Sequence, residues 1–301
     1  MMTKACKVSF ITVNYNGKED TIALLRSIYE ASLSFSFEVI VIDNASRSDE
    51  FVLLKQAYPD IKGMRSAENL GFAGGNNLGI QMSTGEYLYF LNNDTVLPEK
   101  ADAQIRAMLT FCAENSQVGG ISPKILYFEP RNLLQFVGST PLSKITLRNR
   151  QIGYRETDQG QYEEIRQIPY MHGAAMLVPR YVIEDGGMMS ELFFLYYEEL
   201  DWSCRITEKY KLYYFPFAYI FHKESATTGI ESPLKTFYLT RNRMLFADRN
   251  RRGLIRILSL LYLVCIANTL KMFKFMTKGQ WQQILSVWHG TWSAFKLFNS
   301  K

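Results

Sequence analysis

The sequence predicts an α/β fold followed by a basic, apolar helical segment at the C-terminus. Two observations predict the α/β part: short apolar strands alternate with helix-spaced segments over the first ninety residues, and each strand ends in polar residues. The composition is that of a globular protein, with 47% hydrophobic and 21% charged residues in a chain of 301. This balance excludes wholesale disorder and a polytopic membrane fold.

The first half of the chain predicts strands and helices in strict alternation. The predicted strands span 8–13, 37–42, 61–65 and 87–91, and the predicted helices span 19–31, 49–58 and a stretch from the glycines at 71–75 to about residue 82. This spacing favours parallel βαβ units with right-handed crossovers, in which ligands bind at the carboxyl ends of the strands. Asn14, Asp43 and residues 92–94 should therefore meet at one edge of the sheet.

The second half predicts less regular structure. Residues 120–170 contain long polar stretches, helical or strand character resumes at 173–178 and 192–207, and strands are expected near 212–220. The formal net charge of +5 is unevenly distributed. From Arg241 to the end, eleven Lys and Arg residues stand against Asp248 alone, so an acidic body precedes a basic tail.

The tail predicts contact with a membrane surface. Its apolar run, 257–267, is shorter than the ~20 residues of a spanning helix. Arginines precede the run, lysines follow it, and Trp281, Trp288 and Trp292 lie beyond. Basic residues interleaved with aromatic ones suit an anionic lipid surface. A helical hairpin that packs on the body with a solvated basic face remains the alternative.

The N-terminus and the cysteines indicate a reducing compartment. The apolar stretch at 8–13 is too short for a signal-peptide core. The four cysteines are scattered and form no C-x-x-C pair, so neither a disulfide scaffold nor a structural zinc site is expected. We therefore expect a cytoplasmic protein.

Two loops at predicted strand ends could bind a phosphorylated ligand. The glycine-rich segment 68–79 precedes a helix, where exposed N–H groups suit an anion, although a simple tight turn explains it equally well. Asp94 follows Asn92 and Asn93, and these oxygens suit Mg²⁺ or Mn²⁺. The alternative there is an Asx-turn that closes the strand.

The remaining candidates are acids and a histidine. Glu198, Glu199 and Asp201 follow an aromatic run, where one carboxylate could have a raised pKa and act as a general base. The alternative is an acidic helix N-terminus that pairs with the helix dipole and Arg205. His222 follows a predicted strand and could complete a metal shell.

The order of these motifs resembles that of a known family. The chain carries N-Y-N, V-I-D-N-A-S, E-N-L-G-F-A-G-G-N-N-L-G, L-N-N-D-T, H-G-A-A-M-L, F-F-L-Y-Y-E-E-L-D-W and F-H-K-E-S in that order. It resembles the family 2 inverting glycosyltransferases of GT-A fold, and most closely the rhamnosyltransferase-like bacterial branch that builds surface polysaccharides. The resemblance covers about residues 7–245.

The resemblance implies a domain organisation and a fold. It implies a GT-A domain over 1–245, which is a Rossmann-like nucleotide-diphospho-sugar transferase with a mixed sheet flanked by helices. Residues 1–95 would form its nucleotide-binding half and 96–245 its acceptor and catalytic half. Residues 246–301 would form a helical segment that associates with the membrane.

The resemblance also assigns roles to residues of this chain. The implied donor-binding residues are Val13, Asn14, Tyr15, Asp43, Asn69, Gly71, Gly74, Asn77, Asn92 and Asn93. Asp94 and His222 would hold Mg²⁺ or Mn²⁺, although Asn92 replaces the first Asp of the family's D-x-D motif. Glu199 would be the base, and Asp201, the second candidate, would contact acceptor hydroxyls. Arg241 and Asn242 would approach the diphosphate, and residues 173–175 would line the acceptor.

The implied function is metal-assisted single displacement with inversion. A sugar, by branch resemblance a deoxyhexose such as rhamnose, would move from a nucleotide-diphosphate donor to a glycan or polyprenyl-diphosphate-linked acceptor in cell-surface polysaccharide synthesis. The enzyme would lie on the inner membrane face and bind no nucleic acid. Two alternatives stay open: a membrane-surface nucleotide-sugar-binding protein without turnover, and a nucleotidyltransferase, for which residues 14–18 make a poor triphosphate loop.

Overall fold

The computed structural model describes residues 7–224 and 232–298. Ser225 of the F-H-K-E-S motif lies outside them, as do the first six and last three residues of the predicted domains. The strands are β1 (Val8–Asn14), β2 (Phe37–Asp43), β3 (Lys62–Arg65), β4 (Tyr87–Leu91), β5 (Thr95–Val96), β6 (Val118–Tyr127), β7 (Leu134–Phe136), β8 (Arg166–Ile168), β9 (Ala175–Pro179) and β10 (Lys211–His222). The helices are α1 (Lys18–Glu30), α2 (Glu50–Ala57), α3 (Gly71–Met82), α4 (Ala101–Glu114), α5 (Arg180–Gly186), α6 (Glu198–Ile206), α7 (Pro233–Asn250), α8 (Gly253–Leu261), α9 (Thr269–Thr277) and α10 (Trp281–Phe298).

The strands of the described residues form one mixed sheet in the order β3-β2-β1-β4-β9-β6-β10-β5, with β7 beside β6 and β8 beside β10. β3, β2, β1 and β4 are mutually parallel, which confirms the βαβ units predicted for the first half. β9 runs antiparallel to β4, and β6 and β10 run parallel to each other. β1, β2 and β4 are buried along nearly their whole length, as expected for strands covered on both faces.

One short antiparallel pair joins distant parts of the chain. β5 pairs with the end of β10, with Thr95 opposite His222. The backbone N–H of Lys223 also donates to the carbonyl of Asp94, at 3.0 Å. This pairing brings the residues after β4 to the end of β10, across the sheet from where β1 and β2 end.

The C-terminal helices pack on the body through a second apolar cluster. Phe193, Met244, Phe246, Leu263 and Ala294 are buried together in it. α10 lies against α7, and α8 and α9 continue each other through a π-helical segment at Tyr262–Asn268. The C-terminal helices therefore pack on the body, as in the alternative interpretation that the sequence left open.

The apolar stretch of the tail is longer than the sequence suggested. The helical run from Gly253 to Thr277 has 25 residues and contains an 18-residue window with a mean hydropathy of 1.9, so by length and composition it could cross a membrane. The expectation that the stretch is too short to span was wrong on length, because the helix continues through polar residues such as Asn268 and Lys271. Asn268 and Lys271 donate hydrogen bonds to Thr291 and Thr240 of the neighbouring helices.

A buried carboxylate ties the opposite edge of the sheet together. Glu38 on β2 accepts hydrogen bonds from Ser9 of β1, from Thr84 before β4, and from Lys62 of β3. Burial alone would raise the pKa of Glu38, but these hydrogen bonds outweigh it and lower the pKa to about 2. The charged form of Glu38 therefore stabilises the first four strands.

Glu38→Gln should lower the free energy of unfolding at pH 7 by ~2 kcal/mol, the range for hydrogen bonds to a charged group. Because the folded pKa lies below the ordinary value of 4.5, this contribution is complete above pH 4.5 and is lost as the pH falls towards 2. Urea unfolding of both proteins at pH 7 and pH 3 measures it. A difference between them that does not shrink at pH 3 would contradict the role of the charge.

Candidate active site

The carboxyl ends of the central strands open onto a cavity of about 660 Å³. Of the residues singled out in the sequence, the cavity is lined by Val13, Tyr15, Asn69, Gly71, Asn92, Asn93, Asp94, Gly173 and His222. These residues come from the ends of β1, β4 and β10, the start of α3, and the turn before β9. The strand-end rule explains why residues so far apart in sequence share one cavity.

Asn14 and Asp43 end the neighbouring strands β1 and β2 and form the layer beneath the cavity, since neither lines it. Both are fully buried, and the amide of Asn14 donates to the Asp43 carboxylate at 3.3 Å. Ser46 donates to the same carboxylate oxygen, while the other, Oδ2, has no hydrogen-bond partner. Arg65 Nε lies 3.6 Å from that oxygen.

The glycine-rich segment begins α3 rather than forming an extended loop. Gly71 adopts a positive φ of 71°, and a Cβ there would lie 2.0 Å from the carbonyl oxygen of Phe194. Gly74 and Asn77 lie inside the helix and do not line the cavity. Asn77 instead donates to the carbonyl of Met189 and to the carboxylate of Glu191, and so joins α3 to the segment before α6.

Asp94 and His222 form the closest pair of potential metal ligands in the cavity. His222 Nε2 lies 3.0 Å from Asp94 Oδ1, and both side chains are buried. His222 Nδ1 lies 2.7 Å from Oε1 of Gln135 on β7. Both ring nitrogens of His222 thus have a polar partner, and Nε2 is the one that faces the carboxylate.

A second, half-buried histidine packs behind the first. The His172 ring lies 6.4 Å from that of His222 and 5.0 Å from that of Phe136. Burial, with a smaller effect of His222, lowers the pKa of His172 to about 3. Its Nδ1 accepts the backbone N–H of Ala174, so the neutral ring fixes the turn that carries Gly173 into the cavity.

Glu199 lies just behind the cavity wall at Gly173. A Cβ added to Gly173 would be 4.0 Å from Cγ of Glu199, so glycine leaves open the space between them. Glu198, beside it, is 3% exposed, and its Oε2 has no hydrogen-bond partner. Burial raises the pKa of both carboxyls, and the charge of Glu199 adds to the increase at Glu198.

Asp201 is engaged elsewhere. It is 1% exposed and accepts hydrogen bonds from Arg249 and Asn250 at the end of α7, while Arg205 lies 3.3 Å away. It does not line the cavity. Asp201 thus joins α6 to α7, and its oxygens are not directed at a ligand.

Arg241 and Asn242 also bind protein rather than facing the cavity. Asn242 is fully buried, and both residues donate hydrogen bonds to backbone carbonyls between Leu192 and Tyr196. Neither residue lines the cavity, and Arg241 Nε and Nη2 and the Asn242 amide donate to the chain, so the structure does not have the implied approach to a diphosphate.

Phe72 and Asn76, within the glycine-rich segment singled out in the sequence, also line the cavity. Several other lining residues were not singled out: Asn44, Tyr154, Arg155, Glu224, Leu234 and Lys235. Asn44 follows Asp43 directly and was detectable by the strand-end rule. It donates to Asn69 and to the carbonyl of Gly71, which fixes the start of α3. Tyr154 and Arg155 lie in the irregular region, and Gln135 lies on a three-residue strand, where no pattern marks them.

The chain matches one family profile. The profile described as "Glycosyl transferase family 2" matches residues 9–186. The hexosyltransferase Agl10 of low-salt glycan biosynthesis in Haloferax volcanii is 32% identical over 205 residues, which are 66% of this chain and 61% of the relative. The match thus spans less than two thirds of that relative's length.

Solved structures show the same fold. GalNAc-T7, crystallised with UDP, GalNAc and Mn²⁺, superposes with a TM-score of 0.59 at 15% identity, over 82% of this chain and 51% of that one. The mannosyltransferase PcManGT from Pyrobaculum calidifontis, in complex with GDP-Man and Mn²⁺, superposes with a TM-score of 0.56 at 16% identity, over 98% and 76%. The mixed sheet flanked by helices is thus that of GT-A proteins, as the sequence predicts.

Asp201→Ala should lower the free energy of unfolding by ~3 kcal/mol, because it leaves the arginines of α6 and α7 without their buried partner. Asp185→Ala is the matched control, since Asp185 forms an exposed, solvent-screened pair with Lys209 and its loss should change the stability little. Urea unfolding measures both. Equal losses would show that Asp201 does not anchor α7.

Proposed function

The chain belongs to glycosyl transferase family 2, and we propose that it transfers a sugar from a nucleotide-diphosphate donor to an acceptor hydroxyl with inversion. The observation that carries this proposal is the Asp94–His222 pair, buried at the strand ends in a cavity that the start of α3 also lines. A carboxylate and an imidazole side by side suit a divalent metal ion bound to a diphosphate.

Asp94 and His222 are the residues proposed to hold Mg²⁺ or Mn²⁺. Among the described residues no cluster of three or more His, Cys, Asp or Glu side chains could hold an ion alone. Two protein ligands leave coordination positions for diphosphate oxygens and water, which is how Mg²⁺ is commonly held. When bound, such an ion neutralises the charge that develops on the leaving diphosphate.

The remaining lining residues divide by chemistry. Val13 and Tyr15, at the end of β1, give an apolar and aromatic surface for the base, with Asn69 offering its amide. Gly71 and Phe72, at the start of α3, line the same side of the cavity, but their N–H groups already donate to Asn69 and to the carbonyl of Phe194, so they do not bind the diphosphate. The proposed donor is a nucleotide hexose, with rhamnose as one candidate.

Glu199 is the proposed base. The acceptor oxygen forms a bond to the anomeric carbon while the bond from that carbon to the diphosphate oxygen breaks, and the hydroxyl proton passes to Glu199. A raised pKa suits this task, because a base that titrates nearer neutrality than an ordinary glutamate holds the proton more firmly. Gly173, without a side chain, leaves the path from the cavity towards Glu199 open.

The acceptor is proposed to be a glycan, carried on a polyprenyl diphosphate at the inner membrane face. The C-terminal helices support this proposal with an exposed apolar surface. On α10 it consists of Trp281, Leu285, Trp288, Trp292 and Phe295, which recur every three to four residues and are 39–65% exposed. The buried residues Val287, Gly290 and Ala294 occupy the opposite face, against α7.

The helical run 253–277 has the same two-sided character. Leu254, Ile257 and Leu261 are more than half exposed, whereas Ser259 and Leu263 are buried. The Ser259 hydroxyl donates to the carbonyl of Ile145 in the body. Because Asn268 and Phe275 are buried, and Asn268 and Lys271 bond to Thr291 of α10 and Thr240 of α7, we propose that this helix lies in the plane of the membrane surface rather than crossing it.

The donor and the two acids can be tested together. UDP-, GDP- and dTDP-sugars, each with and without Mn²⁺ or Mg²⁺, are screened for an increase in melting temperature. We expect one donor to stabilise the protein only with metal, Asp94→Ala to lose this effect, and Glu199→Gln to keep it while transfer falls about 1000-fold. The control is Asp102→Ala, in an exposed ion pair on α4.

Each other result has a definite meaning. If the donor raised the melting temperature of Asp94→Ala without metal, the metal-binding role of Asp94 would be refuted. Full transfer activity in Glu199→Gln would refute the role of Glu199 as the base. Metal-dependent binding by the wild type with neither hydrolysis nor transfer to a polyprenyl-diphosphate-linked glycan would favour the binding protein without turnover.

Replacing Trp281, Trp288 and Trp292 by Ser in the full chain should weaken binding to anionic phosphatidylglycerol vesicles more than about tenfold, because three exposed aromatic side chains no longer enter the interface. Co-sedimentation measures this binding. Phe217→Ser removes an equally exposed aromatic from β10 and should have no effect. Unchanged sedimentation of the triple variant would refute the membrane surface.

A further inference from the structure

The segment before α6 has an unusual backbone. In the 192–197 loop, which leads directly into Glu198 and Glu199, Phe194, Tyr196 and Tyr197 have φ values of 65°, 68° and 78°. Left-handed backbone is disfavoured for residues with bulky side chains and persists only where the surroundings impose it. Phe194, Leu195 and Tyr196 line the cavity, so this conformation shapes the site itself.

One side-chain amide bonds three carbonyls of this loop with its two N–H groups, one of which is therefore shared. Asn242 Nδ2 lies 2.7 Å from the carbonyl oxygen of Phe193, 2.7 Å from that of Leu195 and 2.8 Å from that of Tyr196. Its own Oδ1 accepts from Arg241 Nε at 2.8 Å. Asn242 is fully buried, so no water can replace these hydrogen bonds without a change in the packing.

The neighbours of Asn242 complete the same attachment. Arg241 donates to the carbonyls of Leu192 and Phe193 and stacks over the ring of Tyr238, which in turn stacks on Phe194. From the other side, the N–H of Phe72 at the start of α3 donates to the carbonyl of Phe194 at 2.8 Å. The loop is thus held between α7 and the helix start that lines the donor side of the cavity.

The loop determines where the base lies. Tyr197 is the residue before α6, and its carbonyl accepts the N–H of Asp201, so the direction of the first turn of α6 follows from the loop. We propose that Asn242 is a positioning residue: through the three carbonyls it fixes the 192–197 loop and, with it, Glu199 relative to the cavity. This inference rests on the proposed function only for the role of Glu199.

The test uses a substitution that keeps volume and removes the donors. Asn242→Leu has nearly the same size but no N–H group, and Asn242→Ser keeps a single donor. In hydrogen-exchange mass spectrometry of the full chain, we expect Asn242→Leu to exchange faster in peptides covering 192–199, with Asn242→Ser between it and the wild type. Peptides covering β2 should be unchanged.

Kinetics with the donor found by the screen provide the second measurement. We expect kcat to fall about 100-fold in Asn242→Leu, the effect of a small misplacement of a catalytic group, and less in Asn242→Ser, while KM for the donor stays within about threefold. Asn115→Leu, at an exposed asparagine after α4, is the matched control and should change neither quantity.

The outcomes separate the two proposals. Loop exchange equal to that of the wild type, faster exchange that extends equally to β2, or a kcat near the wild-type value would overturn the positioning role. Absence of transfer by the wild type would instead refute the proposed function, and the exchange of residues 192–199 would still decide whether Asn242 holds the loop.

Discussion

The contact between Asp94 and His222 is the constraint on which the rest of the cavity depends. Their 3.0 Å separation exists because two residues of β5 pair with the last two of β10, although 128 positions separate the two side chains in the chain. Without that pairing, the loop after β4 and the end of β10 would have no reason to meet. The residues at the end of β1, at the start of α3 and at Gly173 line the same cavity as this pair.

The site differs from the core in how its polar groups are satisfied. Beneath the cavity, Asn14 and Asp43 are fully buried and bind each other and Ser46, while behind it Asn242 binds backbone carbonyls. Buried polar groups of this kind are costly unless they are paired, and paired they specify one arrangement. The strained backbone at 194–197 is therefore found where the most hydrogen bonds converge on it, as expected of a site that must be rigid.

The sequence predicted the first half of the fold well, because β1, β2 and β4 are apolar runs that end in polar residues and strand ends in parallel sheets share an edge. It also singled out Asp94, His222 and Gly71, the glycine at which α3 begins, and all three line the cavity. It could not distinguish residues that line the cavity from those that support it: Asn77 and Asp201 have suitable chemistry, but their partners, Met189 and Arg249, are set by packing. Gln135 and the three carbonyls bound by Asn242 have no pattern along the chain, since only the tertiary structure brings them together.

The most direct measurement is a crystal structure of the full chain with MnCl₂ and UDP or GDP, with anomalous data collected at the manganese edge. We expect one strong anomalous peak within about 2.0–2.3 Å of both an Asp94 carboxylate oxygen and His222 Nε2, with diphosphate oxygens completing the shell. A nucleotide bound in the cavity with manganese bound elsewhere, or with no manganese, would contradict the central role of this pair.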